Sequence, residues 1–119
     1  MNLEQWFTKG MTPEDYLEYM SVHKENTEAI KRNFTIPQDD IEVLNKLGDH
    51  SLRVIAITED WCGDAMLNIP ILLKVAKSAD MDVRMILRDE NLDLMDQYLT
   101  NGISRAIPIF IFIDRDGNE

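Results

Sequence analysis

Cysteine is almost absent from this 119-residue chain, which has only Cys62. One thiol cannot close an internal disulfide, so a disulfide-stapled scaffold is excluded; a lone thiol fits a reducing compartment, and the cytoplasm is the expected location. Long apolar runs are missing as well, and nothing approaches the ~20 residues that cross a bilayer as a helix. The first residues, Met1-Asn2-Leu3-Glu4-Gln5-Trp6, lack the basic-then-apolar order of a secretory leader. Basic residues are scarce: 12 Lys and Arg stand against 22 Asp and Glu, for a net charge of -10. That balance argues against nucleic acid and anionic membrane surfaces as partners, because both reward cationic groups. Histidine is limited to His23 and His50, and neither has a Cys or His at ligand spacing. They read as surface or interhelical packing residues, with no metal and no cofactor expected. Glycine (5) and proline (4) are few, and there is no internal repeat, low-complexity tract or linker. What is present, 45% apolar and 29% charged residues, fits one small globular domain.

Residues 1–50 read as helical. Thr12 is a good N-cap, Pro13 suits the first helical position, and Asp15 follows three residues after the cap. Tyr16, Met20, His23, Thr27 and Ile30 recur at helical spacing, predicting an amphipathic helix with breaks near Asn26 or Asn33. A second helix is predicted after Pro37, with Asp39 and Asp40 at its positive end, a stripe of Ile41, Leu44 and Leu47, and a stop at Gly48. The pattern changes near residue 50. Residues 53–58 form a β-branched run typical of a strand buried on both faces. A helix over 63–79 interrupted at Pro70, a strand over 83–87, a helix capped by Asn91 and ended by Asn101-Gly102, and a strand over 109–113 follow. This order predicts an α/β layer whose first two strands run parallel through a right-handed crossover. Asp116-Gly117 after the last strand signals a hairpin turn, but no returning strand follows, which reads as a chain cut at that hairpin. An uncovered edge at 109–113 would then recruit another chain, so a homodimer through that strand is expected.

The chemistry concentrates in Thr58-Glu59-Asp60-Trp61-Cys62-Gly63-Asp64-Ala65, at a strand-to-helix turn. A cysteine in the first turn of a helix faces unpaired backbone N–H groups and the positive end of the dipole. Both favour thiolate, the nucleophilic form. Gly63 lets a partner's backbone come close. The bland alternative for Cys62 is a small buried apolar residue; for Asp60 and Asp64 it is capping of the helix, and for Met66, Met81, Met85 and Met95 it is core filling.

Taken together, these residues resemble the thioredoxin superfamily. Trp61-Cys62-Gly63 is similar to the family's Trp-Cys-Gly-Pro-Cys motif, Pro70 to the proline that kinks its active-site helix, Ile107-Pro108 to its cis-proline signature, and Asp116-Gly117 to the turn before its last strand. The likeness covers roughly residues 51–119 and implies a three-layer α/β/α sandwich, here without the last strand and helix, carrying residues 1–50 as a helical N-terminal extension packed on it. The wording Thr-Glu-Asp-Trp-Cys-Gly-Asp resembles a bacterial thioredoxin-like group with such an extension. The family's N-terminal strand has no visible counterpart, and helices stand in for it. The resemblance implies that Cys62 is the nucleophile and that Trp61, Gly63, Asp64, Ile107 and Pro108 meet the substrate. A substrate would pair along the Ile107 region, with Trp61 and Phe110 as apolar rims.

The chain also departs from the family. Ala65 takes the place of the resolving cysteine, Asp64 that of the proline, Ala56 that of a buried aspartate, and Met85 that of a frequent lysine. Three functions fit: a monothiol thiol–disulfide exchange protein in redox homeostasis, acting on proteins or low-molecular-weight thiols and disulfides; a non-catalytic binding module using the cis-proline groove; or a cluster held between two Cys62 thiols of a dimer.

Overall fold

The computed structural model describes residues 2–48 and 51–119; Met1, Asp49 and His50 fall outside them, and the packing role expected of His50 with them. Four helices come first: α1 (Glu4–Lys9), α2 (Pro13–Tyr19), α3 (Lys24–Asn33) and α4 (Gln38–Leu47). They are followed by β1 (Arg53–Thr58), α5 (Gly63–Ser78), β2 (Asp82–Leu87), the short α6 (Leu92–Met95) and β3 (Ile109–Ile113). The strands form one sheet in the order β2-β1-β3. β1 pairs parallel with β2, from Arg53 opposite Asp82 to Thr58 opposite Leu87, and antiparallel with β3.

The β-branched run of β1 explains its central place. Residues Val54 to Ile57 are wholly buried, and alternation sends them to two different cores. Val54 and Ala56 join the α5 side, with Tyr16, Ile69, Leu72 and Met85. Ile55 and Ile57 join the other side, with Trp6 and Phe7 of α1, Leu94 and Met95 of α6, and Ile111 and Ile113 of β3. The result is helix, sheet, helix: the mixed α/β architecture of a thioredoxin-like fold. Met81, Met85 and Met95 fill these cores, while Met66 is half-buried.

The N-terminal half departs from the sequence pattern at one point. Thr12 caps α2 as expected, its hydroxyl accepting the Asp15 amide at 3.1 Å. The helix predicted through Ile30 does not break near Asn26, however. It stops at Met20 and restarts at Lys24, turning at His23, whose φ of 62° is left-handed. The periodicity survives because Tyr16, Met20 and Thr27 all still reach the interior. The α3 segment does end at Asn33. The α4 helix starts after Pro37 and ends at Gly48, with Ile41, Leu44 and Leu47 only half-buried. Pro70 does not interrupt α5; the helix runs on through it, leaving the carbonyl one turn earlier without its usual amide donor. Asn91 does not cap a long helix either. Its side chain donates to the Leu87 carbonyl at 2.9 Å, and α6 is only four residues before a 3-10 turn over Asp96–Tyr98.

Helices mostly replace the missing N-terminal strand, but a trace of pairing remains. Met11 and Met85 exchange both backbone hydrogen bonds, 2.9 and 2.8 Å, at the outer edge of β2. At the other end, the Asp114 carboxylate accepts the amides of Asp116 and Asn118, and the Gly117 carbonyl accepts the Leu3 amide at 2.7 Å. The Asp-Gly turn thus clips the N-terminal segment to the end of β3.

The approach of Met11 to β2 requires a residue without a side chain just before it. A Cβ on Gly10 would stand 2.7 Å from the Cβ of Arg84. We expect Gly10→Ala to lower unfolding stability by roughly 1–3 kcal/mol, the usual cost of overpacking. Urea titration against wild type measures it; an unchanged midpoint would mean that α1 and β2 are not held at this spacing.

Candidate functional site

Cys62 sits at the position where β1 hands over to α5. Its amide donates to the Glu59 carbonyl at 3.3 Å, and its carbonyl accepts the Met66 amide at 3.0 Å, so it is the N-cap residue of α5. The residue is half-buried, touching both cores from the loop. Its sulfur points across to the Ile107 carbonyl, which accepts the thiol hydrogen with Sγ at 3.6 Å. The next peptide bond, Ile107–Pro108, is cis. The sequence therefore brings together two segments 45 residues apart. One expected feature is absent: Cys62 makes no side-chain capping bond to the amides of the first helical turn. The thiol is held by the opposite loop instead.

The other residues assigned to the site divide into rim and floor. Trp61, Gly63 and Asp64 line the rim, Pro108 is half-buried, and Ile107 and Ala65 are buried. Ala65, at 2% exposure, belongs to the α5-side core. Phe110 lies half-buried against the same core, opposite Ala56 in the strand register. On its other side Ala56 stands opposite Met85. Both are buried in a core that Cys62 also packs against, so an alanine and a methionine occupy the two positions.

The carboxylates do something different from the capping expected of them. Asp60 points away from α5 and accepts the amides of Ser21 and Val22, at 3.0 and 3.2 Å, together with the Ser21 hydroxyl. The Asp64 side chain is exposed in the first turn of α5, and it is the Asp64 backbone carbonyl that accepts the Asn68 side-chain amide. Glu59 is 5% exposed and accepts the Asp89 amide at 2.9 Å, pinning the end of β1 to the turn after β2. Burial pushes the Glu59 carboxyl above its usual range, while the Asp89 amide opposes that shift. Tyr16 is buried beside Thr58, their hydroxyls 3.3 Å apart, and burial pushes the phenol up to about 12.

One participant carried no sequence signal. The Arg88 guanidinium stacks over the Trp61 ring at 4.8 Å and donates to the Arg105 carbonyl at 3.1 Å. It bridges the Cys62 turn to the segment leading into Ile107. Arg105 is itself held by a two-point ion pair with Asp96. Arg88 was invisible because it lies far along the chain from Cys62, in a stretch with no motif.

With the thiol turn, the opposing proline loop and the β2-β1-β3 sheet in place, the chain belongs to the thioredoxin superfamily. A thioredoxin family model matches residues 10–119, a span that takes in α2, α3 and α4 as well as the α/β core. A 1.5 Å crystal structure of a protein of unknown function from Pseudomonas aeruginosa has the same fold: TM-score 0.85, 17% identity, covering 99% of this chain and 73% of that one. An HIV epitope-scaffold structure is similar at TM-score 0.84 and 17% identity, with the same coverage. No match was found among curated proteins.

Glu59 yields a test with a defined sign. Because folding raises its pKa, the folded chain holds that proton at a pH where the unfolded chain has lost it. Wild type should therefore gain stability relative to Glu59→Gln as pH falls from about 7 toward 4.5. Urea midpoints across that window check this, and parallel curves for the two proteins would contradict it.

Proposed function

We propose that this protein is a single-thiol member of its superfamily that exchanges disulfides through Cys62. The observation that carries the reading is the half-buried thiol at the start of α5, opposite the Ile107 carbonyl and beside the exposed Trp61 ring. The step is a displacement. The Cys62 thiolate attacks one sulfur of a partner disulfide, a mixed disulfide forms, and the other sulfur leaves as a thiolate. Ala65 offers no second thiol, so a thiol from solution must attack the mixed disulfide and return Cys62 to its reduced form. Electrons pass from that thiol to the original disulfide, with Cys62 as the relay. The substrates are proteins or low-molecular-weight thiols and disulfides, in a reducing compartment such as the cytoplasm. No helix of the described residues is long and apolar enough to cross a membrane.

A second reading rests on a specific contact. The thiol hydrogen is engaged by the Ile107 carbonyl, and the core that Cys62 packs against holds Ala56 and Met85. A binding module using the groove beside Pro108 needs no more than that, with Cys62 acting as a clip between two loops. In that case Cys62→Ser keeps partner binding.

The two readings separate on one experiment. Incubated with oxidised glutathione, the folded protein should gain one glutathionyl group on Cys62 faster than the urea-unfolded chain does. The adduct should persist until an external thiol is added. Ala65→Cys should release the same adduct unaided, because the introduced thiol lies one helical turn away and closes an internal disulfide with Cys62. Mass spectrometry follows all three. If Cys62 reacts no faster folded than unfolded, the exchange reading fails and the binding module stands.

A further inference from the structure

A wide groove lies away from Cys62, on the side of the sheet covered by α2, α3 and α5. It encloses about 1040 Å³ and is walled by the start of α2, the C-terminal parts of α3 and α5, and the opening residues of β2. The α5 helix has 16 residues, so its two ends lie ~24 Å apart. The groove shares no residue with the Trp61–Cys62 turn or with the proline loop.

Its floor is apolar, with Phe34, Ile36, Leu73, Met81 and Val83 contributing. Its rim is cationic. Lys31, Arg32, Lys74, Lys77 and Arg84 all line it, five of the 12 basic residues of the chain. Of the 22 acidic residues only Glu14, Glu28 and Asp82 do so. A chain of net charge -10 thus presents one region where basic residues outnumber acidic ones. Among the described residues the ion pairs are Arg53–Glu4, Arg88–Asp89 and Arg105–Asp96, and none uses a cation of the groove. Of the five cations, Arg84 alone donates a side-chain hydrogen bond among the described residues, to the Val83 carbonyl. Lys31 and Lys74 are half-buried with no ion pair among those residues. Lys31, Arg32 and Lys77 also offset the negative ends of α3 and α5, and the Arg84 guanidinium lies over the Phe7 ring at 4.8 Å, which leaves Lys74 with neither role.

Lysine heads that make no ion pair among the described residues can take a bound anion as their partner. An apolar floor of this size suits the body of a small molecule; such sites typically run to ~300–1,000 Å³. We propose that this groove binds an amphiphilic anion: an aliphatic or aromatic body lies on the apolar floor, and a carboxylate or phosphate head is met by the cations of α3 and α5. The site is independent of Cys62 chemistry.

Sodium dodecanoate, kept below its micellar range, is the probe. Isothermal titration calorimetry on the full chain should show saturable one-to-one binding. The double variant Lys31→Glu/Lys74→Glu should weaken it by at least about tenfold, the loss of roughly one charge-assisted contact. Its far-UV circular dichroism and its Cys62 alkylation rate should stay at wild-type values. If that variant does not fold, Lys31→Gln/Lys74→Gln serves in its place and should also weaken binding. Acetate and dodecyltrimethylammonium should not bind, and the protein should not sediment with phosphatidylglycerol vesicles. Absence of saturable dodecanoate binding overturns the proposal. So does equal binding by the folded variant, or binding of the cationic amphiphile as tight as that of dodecanoate. Sedimentation with vesicles would overturn it too, since the ligand would then be a bilayer surface.

Discussion

Everything in this molecule is built outward from β1. Its residues are buried on both faces and paired on both edges, parallel to β2 and antiparallel to β3. A strand so enclosed has one register and one direction in which to exit, because a one-residue slip would exchange the two cores. Its C-terminal end is therefore a fixed point. Cys62 is placed by that constraint just beyond the strand, and the proline loop is placed by the same strand through β3. The 3.6 Å contact between the sulfur and the Ile107 carbonyl closes a short circuit around the sheet.

Much of this was legible in the sequence because it depends on local rules. The β-branched run of β1, the Thr12-Pro13 cap and the Trp61-Cys62-Gly63 turn each announce themselves within a few residues. The break between Met20 and Lys24 was not legible, since apolar spacing continues through it and only the left-handed turn at His23 divides the helix. Asn91 misled for a related reason. Its side chain can satisfy either a helix start or a nearby carbonyl, and the tertiary position of Leu87 decided between them. The site was legible in its thiol and its proline. Its supports, Arg88, Glu59 and the true partner of Asp60, were hidden because they act across chain separations of 17 to 39 residues.

The apolar pair in the core that Cys62 packs against bears on how the site works. Ala56 and Met85 face each other across the β1–β2 register, fully buried, where charged groups would have to be desolvated. The neighbourhood instead places its buried carboxyl on Glu59, one turn of backbone from Cys62 and tied to the Asp89 amide. The charged groups of this region thus serve mainly to join segments: Asp60 to residues 21 and 22, Glu59 to residue 89, Arg88 to Trp61 and residue 105.

The backward reach of Asp60 carries a consequence for how rigidity is shared. A carboxylate at that point in the chain would ordinarily steady the helix that follows it. Here it steadies an elbow between two earlier helices, and the thiol loop is anchored in return to a portion of the polypeptide translated well before it. The stiffness of the reactive turn is therefore borrowed, and any event that displaces the elbow at residues 21 and 22 would loosen the hold on Asp60, two residues before the sulfur.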